Sequence, residues 1–227
     1  MPDGDCRTVL YLVRHGEADS NRDGRIGGWS PAPLTDLGRR QADRAAAELA
    51  RRAPTRLITS DLERARQTAA PIAAATGLAP ILEAGLRERS LGVLDGLPFD
   101  EARAREPALW QRMIARDPAA VPAGGETADD VYRRVTAAVA RLVADHPGER
   151  IAVVSHGLAL YHVFAYVCGL GSPAQPLPVF VLVDNASITH VEHRRHPGPP
   201  PVDRWRIVSV NDTAHLRDLV HEAPPAP

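Results

Sequence analysis

Lysine is missing from this chain: all 27 basic residues are arginines. That absence excludes a P-loop lysine, a Schiff-base lysine and a kinase-type lysine together. Any anion held by a side-chain cation must be held by Arg or by protonated His. Cysteine is scarce as well. Two residues, Cys6 and Cys168, are too few for a disulfide framework or a zinc cage. Cys168 sits in an apolar run that predicts a core position, and Cys6 is incidental in a polar stretch. Net charge is slight, −1 from 27 basic and 28 acidic residues, which argues against a nucleic-acid coat or a polybasic membrane binder. No apolar run reaches the about 18–20 residues of a membrane span, and Met1–Asp5 lacks the basic flank of a secretory signal. The expectation is a cytoplasmic protein without membrane or nucleic-acid partners.

What is present is an α/β pattern. The 227 residues, 44% hydrophobic, can bury one sizeable core. Val9–Val13 is a short apolar run that stops at Arg14-His-Gly16, and Ile151–Val154 is a second that stops at Ser155-His-Gly157. Both read as buried strands feeding functional loops. Thr35 and Thr127 predict helix N-caps, with apolar stripes at helical spacing behind each. Further strands are expected at 56–60, 79–82, 179–183, 186–192 and 205–210, and a helix from near Asp61 to Thr76 ends at Gly77. The proline-punctuated stretch 85–125 reads as an insertion over one end of the sheet, with short helices near 99–106 and 109–116. A single α/β domain with a mostly parallel central sheet flanked by helices follows.

His15 and His156 occupy the same strand-His-Gly context. In open α/β sheets ligands bind beyond the carboxyl ends of strands, so both imidazoles should emerge on one rim if their strands are neighbours. A pair of satisfied core histidines is the plain alternative.

These motifs resemble the histidine phosphatase superfamily, also called the phosphoglycerate mutase-like family. The resemblance runs from about Val9 to Leu216 and rests on several segments in order. They are Arg14-His-Gly-Glu17, Pro33-Leu-Thr35 with Gly38 and Gln41, Ser60-Asp-Leu-Glu-Arg64 through Ala69, Leu86-Arg-Glu88, Gly124-Gly-Glu-Thr127, Ser155-His-Gly157 and Asn211–Leu216. It implies a phosphatase-like domain over 1–216, with the 85–125 insertion as a cap and a Pro/Ala-rich tail at 217–227. It also implies a phosphate pocket formed by Arg14, Arg64 and His156, with Asn21 as a further phosphate-side residue. Ala18, Gly27, Pro31 and Asp95 depart from the residues usual in the family, and none of them removes a proposed catalytic group.

The residue types suit the chemistry that the resemblance implies. Metal-free phosphoryl transfer needs a nucleophile, positive charge on the equatorial oxygens and an acid for the leaving group. His15 is the expected nucleophile, provided one ring nitrogen is unprotonated and the other donates to a fixed acceptor. Arg14 and Arg64 offer planar forks, and His156 adds a donor that is cationic when phosphate is bound. Glu88 is the expected proton donor; an ordinary ion pair with Arg87 or Arg89 is its plain alternative. No cofactor or metal is expected, and the partner is a small-molecule phosphate ester, with homodimer formation left open. A hydrolase is favoured over a cofactor-dependent mutase, because Leu86–Gly92 lacks the mutase pattern and the insertion is short and without Lys. A non-catalytic phospholigand-binding protein is the third reading.

Four features are read as structural. His190, His193 and His196 suggest a solvated hairpin rather than a metal tract. Arg133-Arg134 suggests a helix surface, and Gly124-Gly125 a turn. Trp110 and Met113 either line the substrate mouth or pack the insertion.

Overall fold

Strand-forming runs and capped amphipathic helices alternate along the chain and assemble into one α/β domain. The computed structural model describes residues 7–172, 179–196 and 202–220. Cys6 and residues 221–227 of the expected tail lie outside them. The element order is β1 (Arg7–Arg14), α1 (Asp19–Arg22), α2 (Asp36–Arg52), β2 (Arg56–Thr59), α3 (Glu63–Thr76) and β3 (Pro80–Leu82). After it come α4 (Phe99–Arg105), α5 (Pro107–Ile114), α6 (Ala128–Asp145), β4 (Arg150–Ser155), α7 (Gly157–Val167), β5 (Ile188–His196), β6 (Val202–Asp212) and α8 (Arg217–Val220).

Among the described residues the sheet order is β3-β2-β4-β1-β5-β6. The pairs β2/β3, β2/β4 and β1/β4 are parallel, whereas β1/β5 and β5/β6 are antiparallel. The sheet is therefore parallel through its α/β half and mixed as a whole. Alternation along the strands divides the core. Leu10, Leu12, Ile58, Ile151 and Val153 face α6 and α7, and Val9, Tyr11, Val13, Leu57, Ala152 and Val154 face α2 and α3.

Local signals explain where the helices start and stop. The Thr35 hydroxyl accepts the Gly38 N–H, and the Thr127 hydroxyl accepts the Asp130 N–H while the Asp130 carboxylate returns to the Thr127 N–H. Gly77, at φ 72°, ends α3 in the left-handed region.

The apolar run at 179–183 is not a strand. Val183 packs into the core, Phe180 stacks on Tyr161 with centroids 4.6 Å apart, and the Val183 carbonyl accepts from Arg14. Its apolar character is used in packing rather than in a ladder. Cys168 is exposed at the end of α7, not in the core. His193 is buried against Trp205, and His190 packs on Tyr11 while staying 20% exposed, so only His193 is withdrawn from solvent; the His196 side chain lies outside the described residues. Among the described residues, no group of three or more His, Cys, Asp or Glu is placed to hold a metal. No described helix is long and apolar enough to cross a membrane. Residues 217–220 form α8, whose Leu219 packs with Leu216 and Ala45.

Candidate active site

The parallel pairing of β1 with β4 puts Arg14 opposite Ser155. The residue that follows each strand is a histidine, so the two rings meet: their centroids are 5.1 Å apart at an interplanar angle of 56°. The His15 N–H donates to the Ser155 carbonyl at 3.0 Å, continuing the ladder to the rim. Both imidazoles are buried.

The loop after β1 is anchored on α2 and α3. The Gly16 N–H donates to the Thr68 hydroxyl, and the Glu17 N–H to the Gln41 side-chain carbonyl. The Glu17 carboxylate accepts from the Thr35 hydroxyl. A Cβ on Gly16 would overlap the Gly38 carbonyl, and one on Gly38 would overlap the Glu17 carbonyl. Only glycines allow the start of α2 to lie this close to the loop.

The His15 tautomer follows from its partners. Nδ1 lies 2.7 Å from the Gly16 carbonyl, which can only accept, so Nδ1 carries the proton. Nε2 then presents its lone pair, and the Arg64 Nε–H donates to it at 3.2 Å. Burial, reinforced by the Arg64 and Arg14 cations, pushes the His15 pKa well below its ordinary value. Arg64 comes from the first turn of α3, is itself buried, and also donates through Nη2 to the Gly28 carbonyl at 2.8 Å. Arg14 donates through Nη1 to the Val183 carbonyl at 2.7 Å, while its Nε is buried without a partner. His156 Nε2 lies 2.8 Å from the Ser60 hydroxyl, and its Nδ1 is likewise buried without a partner. Burial first, then Arg64 and His15, pushes the His156 pKa well down.

Glu88 is not in an ion pair with its neighbours in sequence. Arg87 pairs with Asp61, and Arg89 donates to the Glu126 and Ala120 carbonyls. The Glu88 carboxylate instead accepts the N–H groups of Leu158 at 3.1 Å, Ala159 at 3.3 Å and Arg89 at 2.8 Å. It supplies acceptors that the first turn of α7 lacks. Asn21 accepts from the Ala18 N–H and from the Asn185 amide.

Arg14, His15, Asn21, Arg64 and Glu88 line one cavity of about 250 Å³. His156 lies against His15 behind it. The rest of the cavity lining mixes apolar Ile26, Leu91, Phe99, Trp110, Met113 and Leu158 with the cations Arg25 and Arg89. Trp110 and Met113, left open from the sequence, thus both line the mouth and pack with the insertion.

Residues 10–213 match the histidine phosphatase superfamily (branch 1). The chain belongs to this superfamily. It is 35% identical over 207 residues to the probable phosphoglycerate mutase GpmB of Yersinia pestis (strain Pestoides F), covering 91% of this chain and 94% of that one. The structure of mycobacterial glucosyl-3-phosphoglycerate phosphatase is 31% identical, with a TM-score of 0.78 over 91% of this chain and 100% of that one. Bacillus stearothermophilus YhfR is 28% identical, with a TM-score of 0.78 over 92% of this chain and 99% of that one.

Several residues of this superfamily member's site escaped sequence reasoning. Asp95, noted only as a departure, accepts from the Trp29 and Leu91 N–H groups and the Ser90 hydroxyl, tying the 27–30 loop to the 90–91 loop. Asn185 donates to the His15 carbonyl at 3.0 Å. Its position beside the loop that follows β1 depends on the β5 pairing, which no local pattern reveals. Arg134, read as helix surface, is only 21% exposed and donates to the Glu88 carbonyl, whereas its neighbour Arg133 is 77% exposed and pairs with Asp129.

Proposed function

We propose that the protein is a phosphomonoesterase that works without a metal and passes through a phosphohistidine on His15. The observation that carries this reading is the unprotonated Nε2 of His15, held by the Nδ1–Gly16 bond and set among Arg14, Arg64 and Glu88. In the first step the Nε2 lone pair attacks phosphorus and the bond to the ester oxygen breaks. Glu88 delivers its proton to that oxygen, and the alcohol leaves. Arg14, Arg64 and a protonated His156 balance charge on the three equatorial oxygens. In the second step water attacks the phosphohistidine and gives a proton to the Glu88 carboxylate. The P–N bond breaks, and inorganic phosphate and the Nε2 lone pair are regenerated. The buried, unpartnered Arg14 Nε and His156 Nδ1 support an oxyanion as the bound group. The small cavity supports a small phosphorylated metabolite as substrate.

A mutase is the second reading, favoured by the similarity to the Yersinia relative. Incubation with p-nitrophenyl phosphate in EDTA decides between the readings. Phosphate release is expected; transfer between positions of 3-phosphoglycerate without release would establish the mutase. Inertness toward both, with measurable phosphate binding, would establish a phospholigand-binding protein. His15→Ala should lose on the order of 10⁴-fold or more in activity, and substantial turnover would exclude His15 as the obligatory nucleophile.

A further inference from the structure

The Glu88 carboxyl is held at its tip by backbone N–H groups of α7, but its backbone is held from the opposite side by one guanidinium. Arg134, on α6, donates through Nη2 to the Glu88 carbonyl at 2.8 Å and through Nη1 to the Arg87 and Gly85 carbonyls at 2.6 and 3.0 Å. Its other edge is bound to the Glu126 carboxylate, Nε at 2.7 Å and Nη2 at 2.8 Å. Glu126 Oε2 in turn accepts the Ser90 N–H at 2.9 Å. The Glu88 carbonyl also accepts the Trp29 indole N–H at 2.7 Å, so both of its lone pairs are engaged. Arg134 and Glu126 thus close a clamp around residues 85–90, with Glu88 at its centre.

We propose that Arg134, oriented by Glu126, is the positioning residue for the proton donor: it sets where the Glu88 carboxyl meets the leaving-group oxygen. This rests on Glu88 being that donor. Proton transfer in the transition state needs hydrogen-bond reach, and a displacement of about 1 Å in a supporting shell is enough to lose it. The pattern requires arginine. A five-donor planar fork can serve a bidentate carboxylate on one edge and three carbonyls on the other, which a lysine ammonium with three donors cannot. Arg134 lies outside the lining of the phosphate cavity and touches none of His15, Arg14 and Arg64 directly, so its loss should act first on the acid.

The test is the dependence of kcat/KM on leaving-group basicity, from p-nitrophenyl phosphate to alkyl phosphates, for the parent, Glu88→Gln, Arg134→Lys and Glu126→Gln. Glu126→Gln provides a milder perturbation of the clamp if Arg134→Lys fails to fold. Expected for both clamp variants is a graded loss, about 10-fold larger with an alkyl than with the nitrophenyl leaving group. Competitive inhibition by inorganic phosphate should change by less than about 3-fold, and each clamp variant combined with Glu88→Gln should be no slower than Glu88→Gln alone. An equal loss across all leaving groups in the clamp variants, or additive losses in the double variants, overturns the proposal. If Glu88→Gln itself loses equally on every substrate, the proton-donor assignment fails and the positioning role falls with it. A graded Glu88→Gln beside ungraded clamp variants sinks the positioning role alone.

Discussion

Arg64 Nε donates to His15 Nε2 at 3.2 Å, and both side chains are buried. A guanidinium cannot accept, so this contact requires the lone pair on Nε2 and the proton on Nδ1, where the Gly16 carbonyl waits. The same cation that would meet a phosphoryl oxygen therefore also keeps the nitrogen proposed to attack it free of a proton before substrate arrives.

Arg64→Lys should damage both functions. The ammonium cannot hold His15 Nε2 and the Gly28 carbonyl from one planar group, although the charge is retained. By comparison with the loss of one preorganised donor, kcat/KM should fall about 10²–10³-fold, and inhibition by vanadate should weaken with it. Near-parental kinetics would remove Arg64 from the phosphate site.

His156 should take up a proton when phosphate binds. Burial and the nearby cations hold it neutral in the free protein, and its Nδ1 has no partner. A bound phosphate dianion reverses the local charge and favours the imidazolium. Calorimetric titration of phosphate near neutral pH, repeated in buffers of different ionisation enthalpy, should show net proton uptake, and His156→Gln should abolish it. An identical heat in all buffers for the parent chain would contradict this.

Gly38→Ala should destabilise the chain by about 1–3 kcal/mol, because the new methyl would overlap the Glu17 carbonyl in the loop that carries His15. Helix propensity alone would favour the alanine by up to about 1 kcal/mol, so a net loss isolates the overlap, and urea midpoints measure it. A Gly38→Ala midpoint equal to the parent's would show that the loop and α2 can move apart.

How much was legible in the sequence follows from the range of the forces involved. The two strand-His-Gly runs could be read because burial and chain reversal are local, and β1/β4 pairing then brought the rings together. The caps at Thr35 and Thr127 were legible for the same reason. The 179–183 run misled because an apolar stretch packs equally well with or without a ladder. Arg134 misled because its neighbour Arg133 does face solvent, and nothing local says that three carbonyls 46–49 residues earlier converge on the next position. Asn185 was invisible for a similar reason: its contact with His15 spans 170 residues.

Acid should unfold this protein from the inside. His162, buried on α7 between Tyr132 and Tyr161, has its pKa lowered to about 4, by burial first and then by Arg89 and Arg134. Between that value and the unfolded value of about 6.5 the unfolded chain binds a proton that the folded chain refuses. The resulting stability is present above about pH 6.5 and is lost as pH falls toward about 4, at most on the order of 3 kcal/mol from this group. His15 and His156 are shifted in the same direction and steepen the same loss. His162→Phe keeps an aromatic ring beside the two tyrosines and removes the titration. Its unfolding free energy, measured with urea from about pH 7 down to about pH 4, should fall less steeply than the parent's. Parallel curves for the two proteins would mean that His162 does not contribute to the acid sensitivity.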